Sequence, residues 1–347
     1  MKYVAIDCGK YKTKACAFDS ETGSYRRTTF RTRMSEGSFE DDMLEKGTIV
    51  VRVDGGDVYK VGPGAKNEAE LETSKKSEIH RICTMSAIAM MVEENTKNVK
   101  AVIGIPYQLA QDPEKRLEYK DFIIPDKEHT VEIKTSSDGP VRKVTFSFSK
   151  RLVYPESIGV LYEYPIELGD ITGIIDIGNL NTNCTYCMNY QPQQESSFTD
   201  EMGGKILISG LAQQLSSELG ARVDDNLVAS TLLKDESKRF LMSKNNDKTV
   251  EERSRAVINE YLMEHTLNIK RKLDAKHWPT SFMNICMIGG TTKILKPEIR
   301  NVFGDVFIPE EPEFVNVAGF LRKMCADDNI DVKKETVEKA DKKQKVS

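Results

Sequence analysis

Long hydrophobic runs are absent from this 347-residue sequence, and with them the usual signs of membrane insertion or secretion. No stretch approaches the roughly 20 consecutive apolar residues that a transmembrane helix needs. The opening residues MKYVAIDCGK enter a strand pattern at once and lack the longer apolar region and cleavage site of a signal peptide. We therefore expect a cytoplasmic protein that has no membrane partner.

An excess of positive charge is also missing. The chain has 50 Lys and Arg residues against 54 Asp and Glu residues, which gives a formal net charge of -4. A surface that binds nucleic acid or anionic lipid throughout needs a clear basic excess. The composition therefore argues against direct DNA binding by the whole surface and leaves only a local basic patch open.

Cysteine is scarce, and its spacing gives little sign of chemistry. Among seven cysteines, Cys184 and Cys187 form a CxxC pair, but no second pair or nearby histidine completes a zinc site. Residues three apart in a strand point to opposite faces, which opposes both chelation and a redox pair. We expect reduced, structural cysteines, as is usual for a cytosolic protein.

The hydrophobic pattern is typical of a chain with two α/β lobes. Three strands at residues 4–7, 13–18 and 25–32 form a meander, and Asp54-Gly55-Gly56 marks a hairpin. Further strands are predicted in KAVIGIP, at residues 116–124, in HTVEIKT, in RKVTFSFSKRLVYP and in MNICMI. Helices are predicted at residues 79–91, 204–219 and 250–273, the last with Ile258, Leu262, Ile269 and Leu273 on one face.

The opening motif VAIDCGKYKTK recurs in outline as IIDIGNLNTN: an apolar strand, Asp-x-Gly, a polar turn and a second strand. This repeat predicts two related lobes with a phosphate-sized cleft between them. Backbone N–H groups in such turns bind phosphate oxygens. Asp7 and Asp176 could hold a hydrated Mg²⁺, which uses few protein carboxylates. Lys14 adds a point charge for a β- or γ-phosphate.

A third candidate is Gly289-Gly290-Thr291, between a predicted strand and a predicted helix. Glycines there let the backbone approach a ligand closely, and a helix N-terminus favours an anion or a polar ring. A plain strand-to-helix connection explains the same residues, and both interpretations stay open.

The order of these three motifs resembles the actin/Hsp70/sugar-kinase superfamily, and KAVIGIPYQ and EPEFVNVAGFL resemble its connections between lobes. Within it, DGGDVYKVGPGA and RLVYPESIGVLYEY are most similar to ParM-like bacterial actins, over roughly residues 1–325. The resemblance implies an α/β, actin-like two-lobed fold, in which each lobe is an RNase H-like mixed sheet with helices and the nucleotide lies in a cleft between lobes.

The resemblance also implies domain limits. Domain I is expected at residues 1–165 with a small subdomain at about 31–80, and domain II at 166–310 with a small subdomain at about 206–262. Residues 311–326 return to domain I, and residues 327–347 are expected to be a charged, disordered tail.

The resemblance implies a site as well. Glu156, in Pro-Glu-Ser, and Asp176 are expected to be catalytic, although a helix-opening acid such as Glu156 can simply complement the helix dipole. Asp7 and Asp176 are expected to hold the metal through water. The expected nucleotide-binding residues are Asp7, Gly9, Lys10, Tyr11, Lys12, Lys14, Gly178, Asn179, Asn181, Thr182, Gly203, Gly204, Lys270, Arg271, Gly289, Gly290 and Thr291.

Some of these residues depart from the family pattern. Lys10, Tyr11 and Lys12 replace small hydroxyl residues, and Thr291 replaces a third glycine. Asparagines in the second turn replace glycine or threonine, and asparagine tolerates left-handed backbone geometry, so that the turn can survive. For Lys270 and Arg271, a solvated basic helix face explains the residues as well as contact with the nucleotide base does.

The resemblance implies a filament-forming NTPase that binds ATP or GTP with Mg²⁺ and stacks head to tail. It further implies plasmid segregation through a ParR-like adaptor on centromeric DNA, so that this chain meets DNA only indirectly. The alternatives are a small-molecule (sugar-type) kinase, an actin-like cytoskeletal protein without a role in segregation, and a non-hydrolysing scaffold or chaperone-like ATPase.

Overall fold

The computed structural model describes residues 1–68, 75–242 and 247–332. Their contacts divide the chain into unit 1, Met1–Glu163 with Phe314–Ser347, and unit 2, Tyr164–Glu313. The predicted limits of the two small subdomains stay predictions.

The elements follow one another along the chain. The strands are β1 Lys2–Cys8, β2 Lys12–Asp19, β3 Ser24–Arg31, β4 Arg33–Glu36, β5 Ile49–Val53, β6 Val58–Val61, β7 Asn67–Glu68, β8 Thr96–Ile105, β9 His129–Lys134, β10 Arg142–Pro155, β11 Ile171–Ile177, β12 Thr182–Met188, β13 Gln191–Asp200 and β14 Asn284–Ile288. The helices are α1 Glu78–Met91, α2 Tyr107–Ala110, α3 Pro113–Ile123, α4 Gly159–Glu163, α5 Gly204–Leu219, α6 Asp225–Leu232, α7 Lys248–Ala275, α8 Thr292–Phe303 and α9 Val315–Ala326. Short 3₁₀ turns lie at Pro165–Glu167 and Glu236–Lys238.

Unit 1 is built on one sheet in the order β3-β2-β1-β8-β10-β9-β5-β6-β4-β7. Strands β1, β8 and β10 run parallel to one another, and β1, β2 and β3 form the predicted antiparallel meander. Helices α1 and α9 both contact β1, and every residue of β1 is buried. This explains its continuous apolar run, which is typical of a central parallel strand.

Unit 2 has a smaller sheet in the order β13-β12-β11-β14, with β11 and β14 parallel. The predicted apolar stripe of α7 is confirmed, since Ile258, Leu262, Ile269 and Leu273 are all buried in the unit 2 core. Both units thus place a parallel neighbour beside the strand that ends in Asp-x-Gly, β8 beside β1 and β14 beside β11.

The strand predicted at residues 116–124 is wrong, because these residues lie mostly in α3. The side chain of Asp112 accepts hydrogen bonds from the backbone N–H groups of Glu114 and Lys115 and so caps this helix. Pro113 follows at the first helical position, where its missing N–H has no cost. The sequence Asp-Pro-Glu carried this helix-start signal.

Part of the predicted tail is packed. Asp328 accepts a hydrogen bond of 2.6 Å from Lys100, and Val332 is buried. Residues 327–332 therefore belong to the packed structure, and the rest of the predicted tail lies outside the described residues.

All seven cysteines are buried, Cys184 and Cys187 of β12 among them, and none of the seven, all of which are described, forms a disulfide. Within the ranges that the structure describes, no helix has both the length and the apolar character required to cross a membrane.

Trp278 anchors the core of unit 2. Its ring is 4% exposed and packs edge-on against Tyr186 and Phe198, and its indole N–H donates to the Ser196 carbonyl at 2.8 Å. A Cβ on Gly173 of β11 would lie 2.7 Å from this ring, so the tryptophan packs directly on the central strand.

We expect Trp278→Ala to lower the free energy of unfolding by about 3–5 kcal/mol, because it removes a large buried side chain and leaves a cavity. Phe282→Ala is the matched control, since Phe282 is 88% exposed, and a change within about 0.5 kcal/mol is expected. Urea unfolding followed by far-UV circular dichroism measures both. Equal effects of the two substitutions would contradict the assigned packing.

Candidate functional site

The first turn, residues 9–12, joins β1 to β2. The Gly9 N–H donates to the Lys12 carbonyl at 3.0 Å, and a Cβ on Gly9 would lie 2.9 Å from that same oxygen. The close approach, and not a left-handed φ, therefore requires glycine. Thr32 secures the turn from β3's end, because its hydroxyl donates to the Gly9 carbonyl at 2.6 Å and its N–H donates to the Tyr11 carbonyl at 3.0 Å.

The second turn, residues 178–181, repeats this geometry in unit 2. The Gly178 N–H donates to the Asn181 carbonyl at 2.9 Å, and a Cβ on Gly178 would lie 2.9 Å from that oxygen. The turns have equal length, since Asp7 pairs with Lys14 and Asp176 pairs with Asn183 across the two hairpins. The duplication predicted from sequence thus extends to the same hydrogen bond.

The asparagines of the second turn do not adopt the left-handed backbone geometry that the sequence allows. Among the described residues, neither Asn179 nor Asn181 has a positive φ. The hydrogen bond from the Gly178 N–H to the Asn181 carbonyl closes the turn. The turn therefore does not depend on the tolerance of asparagine for left-handed geometry.

Backbone contacts bring other predicted residues of unit 2 to the second turn. The Gly178 carbonyl accepts from the Gly204 N–H at 3.0 Å and from the Thr291 hydroxyl at 2.8 Å. The Asn179 carbonyl accepts from the Lys205 N–H at 2.6 Å. The start of α5 and the turn before α8 are therefore both fixed against residues 178–181.

Three further predicted residues lie beside these elements. Gly203 is the N-cap residue of α5 and Gly290 precedes Thr291. Thr182 opens β12, and its hydroxyl donates to the Met202 carbonyl at 2.7 Å. Unit 2 therefore brings together its predicted residues other than Lys270 and Arg271, on the second turn, the start of α5 and the turn before α8.

Gly289 adjoins the carboxylate of Asp176. It has a φ of +93°, and a Cβ there would lie 2.5 Å from both Asp176 Oδ1 and the Ile177 carbonyl. Both the left-handed backbone and the lack of space require glycine at this position. The half-buried carboxylate of Asp176 thus lies between the second turn and the predicted glycine pair.

The second turn has three consecutive backbone N–H groups that are candidate donors to a ligand. Among the described residues, no main-chain carbonyl outside the regular strands and helices accepts from the backbone N–H groups of Asn179, Leu180 and Asn181. Adjacent N–H groups of this kind can bind the oxygens of an anion.

Four charged side chains of unit 1 lie around the end of β1, three of them buried and Lys14 half-buried. Lys14 Nζ lies 3.1 Å from Asp7 Oδ2, and Lys75 Nζ forms an ion pair with Glu156 Oε1. A Cβ on Gly104 of β8 would lie 3.7 Å from Asp7 Oδ1 and 3.5 Å from Glu156 Cγ. The two carboxyl side chains therefore flank one point of the sheet.

The lysines determine the charge of this cluster. Burial alone would raise the pKa of Asp7, but Lys14 and Lys75 outweigh it and hold the pKa of Asp7 below its ordinary value. Burial raises the pKa of Glu156, and Lys75 offsets this only in part because Asp7 also raises it. Burial would lower the pKa of Lys75, but Glu156 and Asp7 raise it. The environment thus separates the two carboxyl groups, with Asp7 the more readily ionised.

Sequence reasoning missed Lys75. It lies in the polar run ETSKKSE, where nothing distinguishes it from its neighbour Lys76, whose side chain is exposed. Only the tertiary structure shows that one of the two adjacent lysines is buried against Glu156.

The other predicted residues of the first turn lie apart from this cluster of charges. Tyr11 lies under the guanidinium of Arg31, 3.6 Å from its ring centre. Lys10 is half-buried and Lys12 is exposed. Their contact with a phosphate stays a prediction.

On α7, Lys270 donates to the Val302 carbonyl at 3.4 Å. Arg271 is exposed and pairs with Glu264 at 2.6 Å and Asn268 at 2.7 Å. Both the solvated face and the contact with a nucleotide base remain open for these two residues.

Comparison with known proteins agrees with this fold. Residues 5–159 match the family model for the N-terminal domain of actin-like proteins. The Alp12 filament structure is similar with a TM-score of 0.69 and 22% identity, over 94% of this chain and 99% of that one. The archaeal actin homologue Ta0583 in complex with ADP gives a TM-score of 0.71 and 18% identity, over 94% and 100%. Bacillus thuringiensis ParM with ADP gives 0.67 and 16%, over 94% and 99%.

No curated protein matches the chain. The chain has the actin-like fold, with mixed sheets and helices in each unit. Its fold is similar to that of ParM.

His80 of α1 lies near the charged side chains at the end of β1, and it makes the free energy of unfolding depend on pH. Burial, with the nearby ammonium groups of Lys75 and Lys10, lowers the pKa of His80 to about 3. Its Nδ1 shares a hydrogen bond of 2.8 Å with the Ser77 hydroxyl, and its Nε2 has no partner in the described part of the chain. His80 is therefore neutral in the folded protein.

We expect the free energy of unfolding to fall as the pH drops below about 6.5, the ordinary pKa of histidine. Below that pH the unfolded chain binds a proton at His80, and the folded chain does not. The contribution of His80 is fully present above that pKa and declines toward its folded pKa of about 3, by up to about 1.4 kcal/mol per pH unit. His80→Gln should flatten the slope between pH 5 and 6.5 by about one proton.

Urea unfolding of both proteins at several pH values measures that slope. Values at pH 8, where the histidine is neutral in both states, control for altered packing. An unchanged slope in H80Q would contradict the assignment.

Proposed function

We propose that this chain is a nucleotide-dependent, filament-forming NTPase of the actin-like kind, which drives plasmid DNA segregation through a ParR-like adaptor on a centromere. The observation that carries the proposal is the duplicated turn, with the same glycine hydrogen bond at Gly9 and Gly178 and a carboxylate two residues before each. Two turns of the same shape suit a ligand that has more than one phosphate group.

The nucleotide is ATP or GTP. The proposed phosphate contacts of unit 1 are the first turn and Lys14, and those of unit 2 are the backbone N–H groups of the second turn. Charge-assisted bonds from a lysine suit phosphate oxygens, and adjacent backbone N–H groups suit them equally. Two of the similar structures, Ta0583 and Bacillus thuringiensis ParM, contain ADP, which supports a nucleotide as the ligand here.

The donor set suits Mg²⁺ held through water. Asp7 is buried with a lowered pKa, and Lys14 lies on its Oδ2. Asp176 adds a second carboxylate in unit 2. Oxygen ligands, few in number, are what Mg²⁺ uses when it keeps most of its waters. When bound, the ion neutralises charge that develops on the phosphate oxygens.

Glu156 is the residue proposed to orient the attacking water, with Asp176 as the second catalytic carboxylate. A raised pKa brings a buried glutamate closer to the range in which it can accept a proton. In phosphoryl transfer the protein chiefly positions groups and stabilises charge, so the orientation of Glu156 matters more than its basicity.

Assembly is proposed to be head to tail, since a heterologous contact that does not close generates a filament. The similar Alp12 structure is a filament, which supports self-association. The net charge of -4 suits a chain that meets DNA only through its adaptor. Seven buried cysteines outside any disulfide suit the cytoplasm.

Sedimentation with Mg-ATP, with Mg-GTP and without nucleotide tests the assembly, with released phosphate measured in parallel. We expect pelleting only with nucleotide and Mg²⁺, and phosphate release that follows it. Phosphorylation of a sugar without any polymer would instead establish the small-molecule kinase.

Glu156→Ala should slow phosphate release by about 10²- to 10⁴-fold, the usual contribution of a positioned base, and leave nucleotide-dependent pelleting in place. Glu167→Ala, an exposed glutamate of unit 2, is the matched control and should hydrolyse as the wild type does. Wild-type hydrolysis by E156A would remove Glu156 from the mechanism.

A further inference from the structure

Lys75 forms a buried ion pair with the proposed catalytic glutamate. The side chains of Lys75 and Glu156 are only 8% and 11% exposed. The lysine lies two residues before Ser77, the N-cap residue of α1, and its φ is +53°. This conformation is uncommon for a residue other than glycine and is maintained only where the surroundings fix it.

The backbone on the other side of the pair is fixed independently. The Glu156 N–H donates to the Ile105 carbonyl at 2.8 Å, which continues the pairing of β10 with β8. Ser157 is fully buried, has a φ of +72°, and its hydroxyl has no partner among the described residues. A strained, unsatisfied residue directly after Glu156 indicates that the orientation of this turn matters more than its local stability.

Packing holds this turn against α9. A Cβ on Gly159 would lie 2.4 Å from Asn316 Cα, and a Cβ on Gly319 would lie 1.9 Å from the Gly159 carbonyl. The backbone at Glu156 is therefore anchored by β8 and α9, and the side chain is anchored by Lys75. The carboxylate has little freedom to rotate away from that ammonium group.

Other ionisable groups near Glu156 lie on three further elements. Asp7 of β1 and Lys14 of β2 form their own pair at 3.1 Å. Tyr119 of α3 donates its hydroxyl to the Gly104 carbonyl at 3.1 Å. Lys75 is thus the cation that contacts Glu156 directly, while Lys14 contacts Asp7.

A structural role alone does not explain this pair. Replacing a buried ion pair by apolar side chains is often neutral or stabilising, so such a pair is weak evidence for a contribution to stability. Removing one partner, in contrast, leaves an uncompensated charge. The geometry is therefore better explained by what the lysine does to the carboxylate.

We propose that Lys75 is a positioning residue, which holds the Glu156 carboxylate in the orientation needed to direct water at the terminal phosphate. The inference rests on the proposed NTPase function. It also ties the chain segment that leads into α1 to the chemistry, because movement of that segment would release the carboxylate.

Four variants test the proposal: Lys75→Met, Lys75→Arg, Glu156→Gln and the double variant Lys75→Met/Glu156→Gln. Lys76→Met is the matched control, since Lys76 is adjacent and its side chain is 41% exposed. The readouts are kcat and KM for nucleotide hydrolysis, the affinity for a fluorescent ADP analogue, and the urea midpoint without nucleotide.

We expect K75M to lower kcat about 10- to 100-fold, part of the effect of a positioned base, while KM and ADP affinity stay within about threefold. K75R should recover most of the rate. The double variant should hydrolyse as slowly as E156Q alone, because a residue that acts through Glu156 has nothing left to position. Its urea midpoint should exceed that of K75M, because no uncompensated charge remains.

The contrary outcomes are distinct. Wild-type kcat in a folded K75M, or a KM that rises while kcat holds, would overturn the positioning role and leave the proposed function intact. A further loss in the double variant relative to E156Q would show that Lys75 acts independently of Glu156. If E156Q itself hydrolyses at the wild-type rate, the proposed mechanism fails along with the inference. Should K75M not fold, the comparison of the double variant with E156Q still decides.

Discussion

Burial of carboxylates at the end of β1 and β10 is the constraint on which the candidate site of unit 1 depends. A carboxylate removed from water must find a compensating charge or take up a proton. Here Asp7 is compensated by Lys14 at 3.1 Å, and Glu156 by Lys75. The lysines come from β2 and from the segment before α1, so the meander and that segment must be in place before either acid can be buried in its charged form. Local chemistry and the assembly of the sheet are thereby linked in one unit.

The turn of unit 2 has the same backbone geometry as the turn of unit 1 but different side chains beside it. Its turn closes through the same glycine hydrogen bond, but Asn183 stands where unit 1 has Lys14. The second turn is held instead by the Gly204 N–H and the Thr291 hydroxyl, which both donate to the Gly178 carbonyl. The two turns are therefore alike in shape and different in charge.

Sequence patterns predicted the parts of this structure that follow from local rules. The meander, the α7 stripe and the repeated Asp-x-Gly turns depend on periodicity and on turn chemistry, and each is confirmed. The strand expected at residues 116–124 is wrong because the cap at Asp112 outweighed the apolar residues after it. The role of Lys75 could not have been found from sequence, since its partner Glu156 lies 81 positions further along the chain. The glycines were identified, but the reason for Gly9 and Gly178 is a carbonyl 2.9 Å away and not left-handed geometry.

Nucleotide affinity of Gly178→Ala tests the central claim, that the duplicated turns bind phosphate, most directly. The added methyl group would lie 2.9 Å from the Asn181 carbonyl and must open the turn. Titration with a fluorescent ADP analogue in Mg²⁺, with far-UV circular dichroism to verify folding, should show at least a tenfold higher Kd, or about 1.4 kcal/mol of lost binding. A folded G178A protein with wild-type affinity would contradict the account.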